Sequence, residues 1–322
     1  MSAKLDVMAE YCIGIDIGAT SIKMGLFETS GKLLNKWEID TNKEDNGRYI
    51  LSEIVSSLNH QLGLQDELKI EHSNIKGIGI GIPGPVTGDG NVSASVNLGW
   101  VNVSVKDQLK QLIDIPVKVG NDANVATLGE MWQGSGKGYK NLVMITLGTG
   151  VGGGVVIDEK IVSGFYGAAG EFGHMPIIYD EVVRCNCGKC GCLEQAASAT
   201  GIINEAKKRI ERKDIKSILD KVENLTAYDI FEAAKAGDEL ANQVIDRAAK
   251  YLGIAMASIT GVIDPEVFII GGGVSGAGQI LLDLVKKHYM ENVLFLSKDT
   301  QIKLAALKND AGIYGAARMV LE

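Results

Sequence analysis

Ile15-Asp16-Ile17-Gly18-Ala19-Thr20 and Ile145-Thr146-Leu147-Gly148-Thr149-Gly150 are the two stretches on which the fold turns. Each ends an apolar strand in a Gly/Thr turn and runs straight on into another apolar strand, without an intervening helix. Two such hairpins, 130 positions apart, predict two similarly built halves facing a shared cleft. Outward from the first, 11–17, 22–28 and 32–39 read as a three-strand meander, followed by a helix over 46–62. Strands follow at 75–82 and 117–119, then a helix at 122–133. Around the second hairpin, 141–147 and 154–157 are the strands, and helices dominate what comes next: 201–212, 227–236 and 239–263. A strand at 267–270, a helix at 278–289, a strand at 301–304 and a helix at 311–320 close the chain. Strands alternating with helices in this way predict an α/β fold.

The 322 residues suit two domains or one large α/β unit. With 46% hydrophobic and 22% charged residues, the chain needs no disulfide staples to fold. Its net charge of −8 repels phosphate backbones, so nucleic acid is not expected as the main partner. No apolar run approaches the roughly 18 residues of a membrane span. Residues 1–10 carry Asp6 and Glu10 and no hydrophobic stretch, which argues against a secretory signal. A cytoplasmic protein is expected. Glycine stands at 40 against 5 prolines, a composition that in ordered sequence marks tight turns and close backbone approaches. Of five cysteines, Cys12 sits alone in an apolar run and reads as a buried bystander. The other four fall within 185–192, and in a reducing compartment that clustering favours a metal over disulfides.

The first hairpin turn, Asp16-Ile17-Gly18-Ala19-Thr20-Ser21-Ile22-Lys23, sets small residues, two hydroxyls and a cation at a strand end. Backbone N–H groups at Gly18, with Thr20 and Ser21, suit phosphate oxygens, and Asp16 suits Mg²⁺ directly or through water. The second, Gly148-Thr149-Gly150-Val151-Gly152-Gly153-Gly154, is the richest glycine run in the chain. It leads into a strand, so it is neither a Walker loop nor a Rossmann turn. Gly79-Ile80-Gly81-Ile82-Pro83-Gly84 fits GxGxxG, but two prolines and no following helix make it a false match. Either loop alone reads as an ordinary hairpin; the pair, with Gly271-Gly272-Gly273 after a third strand, points to nucleotide. The candidate nucleotide residues are Asp16, Gly18, Thr20, Ser21, Lys23, Gly148, Thr149, Gly150, Gly152, Gly272 and Gly273.

Cys185-Asn186-Cys187-Gly188-Lys189-Cys190-Gly191-Cys192 has the spacing of soft metal ligands. Four thiolates from eight residues are crowded, which leaves room for a ligand from elsewhere, and His174 lies eleven residues upstream. Cys185-x-Cys187-Gly188-x-x-Gly191-Cys192-x-Glu194 resembles the signature of the ROK family (repressor, open reading frame, kinase). The resemblance runs over nearly the whole chain, through the first phosphate loop, Gly81-x-Pro83-Gly84, Asn121-Asp122, the second loop and Glu171-x-x-His174. It implies structural Zn²⁺ on His174, Cys185, Cys187 and Cys192, with Cys190 at a variable position outside the set. Asn97-Leu98-Gly99-Trp100 and Ala197-Ser198-Ala199-Thr200-Gly201 look like the bacterial glucokinases of the family. Ala19 departs from it, since a second glycine is commoner there, and predicts a slightly different first turn.

The resemblance implies a two-domain actin-like ATPase/sugar kinase fold with duplicated ribonuclease-H-like halves. Residues 1–120 with 309–322 would form a small domain carrying the first phosphate loop and one wall of the sugar cleft. Residues 121–308 would form a larger one with the second loop, the zinc loop and the adenosine site. Asp122, following a short strand and opening a helix, would be general base toward the sugar 6-hydroxyl as it attacks the γ-phosphorus of ATP. Capping the helix is the plainer use of such a residue. Asn121 would hold another hydroxyl, and Glu171, His174 and Glu194 those around C1 to C3. Glucose and ATP with Mg²⁺ are thus the expected partners, another hexose (N-acetylmannosamine, fructose, mannose or allose) the alternative, and a homodimer or homotetramer the expected assembly. Repressors of the family carry a helix-turn-helix ahead of the first loop, where this chain has fifteen residues before Asp16. A non-catalytic sugar sensor is a further alternative, against which intact Asp16 and Asp122 argue.

Overall fold

The structure, a computed structural model, describes residues 10–63 and 72–322, so the reading of residues 1–9 lies outside it. By their contacts, the described residues fall into two units. One holds the chain up to Gly138 with Lys160–Ala169 and Asn309–Glu322; the other holds Tyr139–Glu159 and Gly170–Lys308.

In the first unit, β1 (Tyr11–Ile17), β2 (Ser21–Glu28) and β3 (Leu33–Asp40) form the expected antiparallel meander. Residues 44–47 turn with Asp45 and Asn46 at φ of 49° and 58°, so the short α1 (Glu44–Gly47) is broken from α2 (Ile50–Gly63) and the predicted helix over 46–62 starts late. Ile50, Ile54, Leu58 and Leu62 make the buried stripe of α2. That helix is the crossover carrying the chain to β4 (Ile75–Ile82), which pairs parallel to β1. A hairpin of β5 (Asn91–Ser95) and β6 (Trp100–Ser104) and a short α3 (Val105–Lys110) follow, none of them foreseen. Then β7 (Val117–Asn121) joins parallel to β4, and α4 (Asp122–Gln133) leaves it. The sheet order is β3-β2-β1-β4-β7.

The second unit repeats this plan. β8 (Leu142–Leu147) turns antiparallel into β9 (Val151–Ile157), and the two-residue β10 (Lys160–Ile161), counted by its contacts with the first unit, is the last strand in the order of this sheet. Past α5 (Glu194–Ala197), α6 (Ala199–Arg212), α7 (Ala227–Lys235) and the 25-residue α8 (Glu239–Ile263), β11 (Val267–Gly271) returns parallel to β8. After α9 (Gln279–Asn292), β12 (Gln301–Leu304) lies parallel to β11. The order is β10-β9-β8-β11-β12, the same as in the first sheet: the strand of each quoted hairpin is central, its antiparallel partner on one side and two parallel strands on the other. This is the duplicated ribonuclease-H-like plan of the actin-like kinases. Among the described residues no helix is long and apolar enough to cross a membrane.

The last helix, α10 (Ala311–Val320), belongs to the first unit and explains much of the glycine there. A Cβ on Gly14 would overlap the Ile313 carbonyl, one on Gly79 the Ala316 carbonyl, and one on Gly315 the Val125 carbonyl of α4. The helix therefore lies backbone to backbone on β1, β4 and α4. This packing holds α4 in the first unit, whereas residues 121–133 were expected in the larger domain; the boundary falls after Gly138 instead of at 120.

Candidate functional site

In the first unit the site residues gather at the carboxyl ends of β1, β4 and β7, where a parallel sheet offers its binding crevice. Asn121, the last residue of β7, is the N-cap of α4: its Oδ1 accepts from the Ala123 and Asn124 N–H groups at 3.0 and 3.1 Å. The cap position belongs to Asn121, so the plainer reading of Asp122 as the cap is set aside. Asn121 Nδ2 donates to the Gly84 carbonyl (3.1 Å) and to Asp122 Oδ1 (2.9 Å), and the Ala123 N–H donates to the same Oδ1 at 2.8 Å. Both donors and both acceptor positions of the Asn121 amide are thus in use. Asp122 is the first helical residue, with its carboxylate oriented by two donors at the positive end of the helix.

Asp16 stands across from Lys23 in the β1–β2 register, with its carboxylate against the Cα of Gly312 at the start of α10. Burial, and next the charge of Asp122, push its carboxyl up to about 6, while Lys23 opposes them. Two carboxylates and one lysine, part-shielded from water, make a place where a divalent cation would relieve repulsion. Lys23 Nζ donates to the Asn309 carbonyl at 3.1 Å. The turn between β1 and β2 is closed by the Gly18 N–H to the Ser21 carbonyl (2.9 Å) and braced by Thr41, whose hydroxyl donates to the Gly18 carbonyl and whose N–H reaches the Thr20 carbonyl. Neither Gly18 nor Ala19 has positive φ, so Ala19 fits without strain. Glycine at 18 is required by distance: a Cβ there would sit 2.8 Å from the Ser21 carbonyl oxygen. The Thr20 and Ser21 hydroxyls make no hydrogen bond among the described residues.

The expected second phosphate loop is shorter than its glycines suggest. Only residues 148–150 form the turn, closed by the Gly148 N–H to the Gly150 carbonyl at 2.9 Å; Gly152, Gly153 and Gly154 lie inside β9, paired with Thr146, Ile145 and Met144. A Cβ on Gly153 would meet the Phe172 ring at 2.5 Å, and one on Gly173 would overlap the Val151 carbonyl. The glycine run of β9 is therefore a bed for the 3-10 turn Phe172–His174, which carries His174 and, just before it, the exposed Glu171. Thr149 accepts from the Thr200 hydroxyl (2.8 Å) and Gly148 from the Ala199 N–H (2.8 Å), while Ser198 caps α6 through the Gly201 N–H. The 197–201 motif is thereby the brace of the second turn. Gly272, at φ 81°, begins the turn after β11 against the backbone of Leu147, whereas Gly273 and Gly148 have open space around them.

His174, Cys185, Cys187 and Cys192 come together with all four donor atoms within 4.8 Å of one another. Cys187 and Cys192 Sγ are 3.5 Å apart and Cys185 Sγ is 3.8 Å from His174 Nδ1. Ligands about 2.3 Å from a tetrahedral zinc lie about 3.8 Å from one another, so this Cys₃His set fits the ion. Cys190 points away, its thiol on the Val182 carbonyl. Burial pushes the Cys192 thiol up to about 12 and raises Cys185 as well, while a hydrogen bond from the Lys189 N–H lowers Cys187. Glu194, two residues past Cys192, ties this centre to the second turn: Oε1 accepts from the Cys185 thiol (3.7 Å) and Oε2 from the Val151 N–H (3.0 Å). A Cβ on Gly150 would overlap that carboxylate. Beside Thr149, Gly150 and Glu194 opens a cavity of about 320 Å³, to which Arg184, Lys208 and Arg247 contribute cations. These three come from separate segments, and no spacing in the sequence announces them.

A sequence profile described as the ROK family matches residues 12–322. The glucokinase of Halalkalibacterium halodurans is 44% identical over 96% of this chain and 94% of its own. The crystal structure of a ROK family glucokinase from Streptomyces griseus in complex with glucose and AMPPNP superposes with a TM-score of 0.73 at 32% identity, covering 96% of this chain and 98% of that one. The xylose repressor of Caldicellulosiruptor bescii is 30% identical over 96% of this chain and 77% of the repressor. With a match over nearly its whole length and with the Cys₃His centre assembled, this chain belongs to the ROK family.

Proposed function

We propose that the protein is an ATP-dependent hexokinase whose preferred sugar is glucose, with Asp122 as general base. The observation that carries this reading is the pairing of Asn121 and Asp122: the asparagine caps α4 and, with the Ala123 N–H, orients the aspartate at the end of the sheet. One oxygen of Asp122 is fixed by the Ala123 N–H and Asn121 Nδ2; its carboxylate would take the proton of the 6-hydroxyl while that oxygen bonds to the γ-phosphorus and ADP departs. Asp16 would hold Mg²⁺ at the phosphates, and the amides near Gly18, Gly148, Thr149 and Gly150, with Thr20 and Ser21, would cradle their oxygens.

His174, Cys185, Cys187 and Cys192 would hold Zn²⁺, whose role when bound is to fix these side chains, with no part in the chemistry. His174 turns Nδ1 toward the thiols, which leaves its Nε2 as the protonated donor for a sugar oxygen. Glu171, whose carboxylate makes no hydrogen bond among the described residues, and Glu194 would take neighbouring hydroxyls. Gly272 and Gly273 would border the adenosine, and a homodimer or homotetramer completes the reading.

The 44% identity to a glucokinase supports glucose over other hexoses. A sugar-responsive regulator is the second reading, favoured by the likeness to a xylose repressor. ADP release by zinc-replete protein with ATP·Mg²⁺ and a hexose panel separates the two. Glucose is expected to turn over far faster than N-acetylmannosamine, fructose, mannose or allose; another favoured sugar changes the substrate alone, and silence with all of them moves the protein to the regulators.

A further inference from the structure

Among the described residues, two buried side-chain atoms have no hydrogen-bond partner: Ser95 Oγ and Asn124 Oδ1. An unpaired buried polar atom loses its bonds to water and gains none in return, so a protein that keeps one needs a reason. Both lie one step from the same amide. The Asn124 N–H donates to Asn121 Oδ1, and Ser95 sits beside Gly84, whose carbonyl accepts from Asn121 Nδ2. A Cβ on Gly84 would lie 3.6 Å from the Ser95 Cα and would overlap the Ala94 carbonyl.

Ser95 also forgoes an easy bond. It occupies the N-cap position of the 3-10 turn Val96–Leu98, where a serine hydroxyl ordinarily accepts from a backbone N–H, yet it makes no cap bond and only 2% of the residue is exposed.

The Asn121 amide, for its part, is saturated: two N–H groups donate and Oδ1 accepts twice. To hold a sugar hydroxyl, as the proposed function requires, Nδ2 must release a bond. Releasing Gly84 would strand a carbonyl beside Ser95 unless another donor took it.

We infer that Ser95 is a positioning residue for the sugar, its hydroxyl held in reserve to donate to the Gly84 carbonyl when Asn121 Nδ2 turns to the substrate. The count of donors and acceptors then balances in both states: the free protein carries one idle hydroxyl, the sugar-bound protein none at this point. The inference rests on the proposed hexokinase activity.

The test is Ser95→Ala in the full chain, measured with glucose and ATP·Mg²⁺ and by thermal unfolding without ligand. Removing an idle hydroxyl is expected to leave the unfolding temperature of the free protein unchanged or higher. The KM for glucose should rise about tenfold, the KM for ATP should stay, and kcat should fall far less than the glucose KM rises. An unchanged glucose KM would show the hydroxyl to be a packing flaw and overturn the inference. So would a marked loss of stability in the free protein, since the hydroxyl would then be paired there. A wild type that turns over no hexose removes the hexokinase reading and this inference together, whereas active wild type with a matching Ser95→Ala removes this inference alone.

Discussion

Replacing Asp16 by Asn tests whether a carboxylate is stored at a cost to the fold for later use by a cation. Burial and the neighbouring Asp122 bring its carboxyl from an ordinary 3.8 to about 6. At about 1.4 kcal/mol for each pH unit of separation, the ionised form costs the folded state at most about 3 kcal/mol. Because the folded value lies above the unfolded one, the protein binds this proton more tightly when folded. The penalty is therefore absent below about pH 4, grows as pH rises through about 6, and is full at pH 8. Asp16→Asn lacks the charge at every pH. Urea unfolding without Mg²⁺ or nucleotide should show the variant more stable than wild type at pH 8, by up to about 3 kcal/mol, with the gap shrinking to about 1 kcal/mol at pH 4.5. Addition of ATP·Mg²⁺ should then stabilise wild type much more than the variant, because a cation needs the charge that the empty fold resists. A gap independent of pH, or a variant less stable at pH 8, would refute the claim that Asp16 carries a desolvation cost. Equal stabilisation by ATP·Mg²⁺ would refute its role as cation ligand.

Asp122→Asn should cut ADP release with glucose by roughly three decades or more with the fold retained, and retained turnover would sink the base assignment. Cys187→Ser should lower the zinc content and weaken glucose binding before ATP binding in parallel titrations; an earlier loss of ATP would contradict a zinc that serves the sugar side. Gly148→Ala meets no atom within 4 Å and needs no positive φ, so unfolding should be unchanged and any rise in the KM for ATP reports the phosphates alone. Gly150→Ala drives a methyl into Glu194 and should reduce both thermal stability and glucose affinity.

The duplication was legible because it lives in local pattern. A strand, a glycine turn and a second strand without a helix between them leave a signature in ten residues, and both sheets are built around that strand. The β5–β6 hairpin was missed since its apolar residues are few and its turn is a 3-10 element closed by Gly99 at φ 74°. The motif that looked like a substrate signature has a packing use here. Trp100 is buried and donates to the Gly47 carbonyl at 3.2 Å, and Gly47 has no room for a Cβ beside the Leu98 carbonyl, so 97–100 clasps the turn that precedes α2. The division by contacts keeps α4 with the first unit for a related reason: Asp122 opens a helix whose partner, α10, lies almost two hundred residues away, and no local pattern records that contact.

Glycine shows where sequence reading reaches its limit. A glycine in a strand-end turn invites a phosphate interpretation, yet nothing in 148–154 needs a left-handed backbone, and three of its glycines lie within a strand. What those glycines admit is a neighbour: the Glu194 carboxylate at Gly150 and the Phe172 ring at Gly153. The run that read as a nucleotide loop is thus largely the seat of Glu171, His174 and Glu194, the residues proposed to hold the sugar. On the proposed reading, a substitution at Gly150, in the turn that leads into β9, should move nucleotide and sugar affinities together. That coupling separates Gly150, where a Cβ would meet Glu194, from Gly148, where a Cβ would meet no atom within 4 Å.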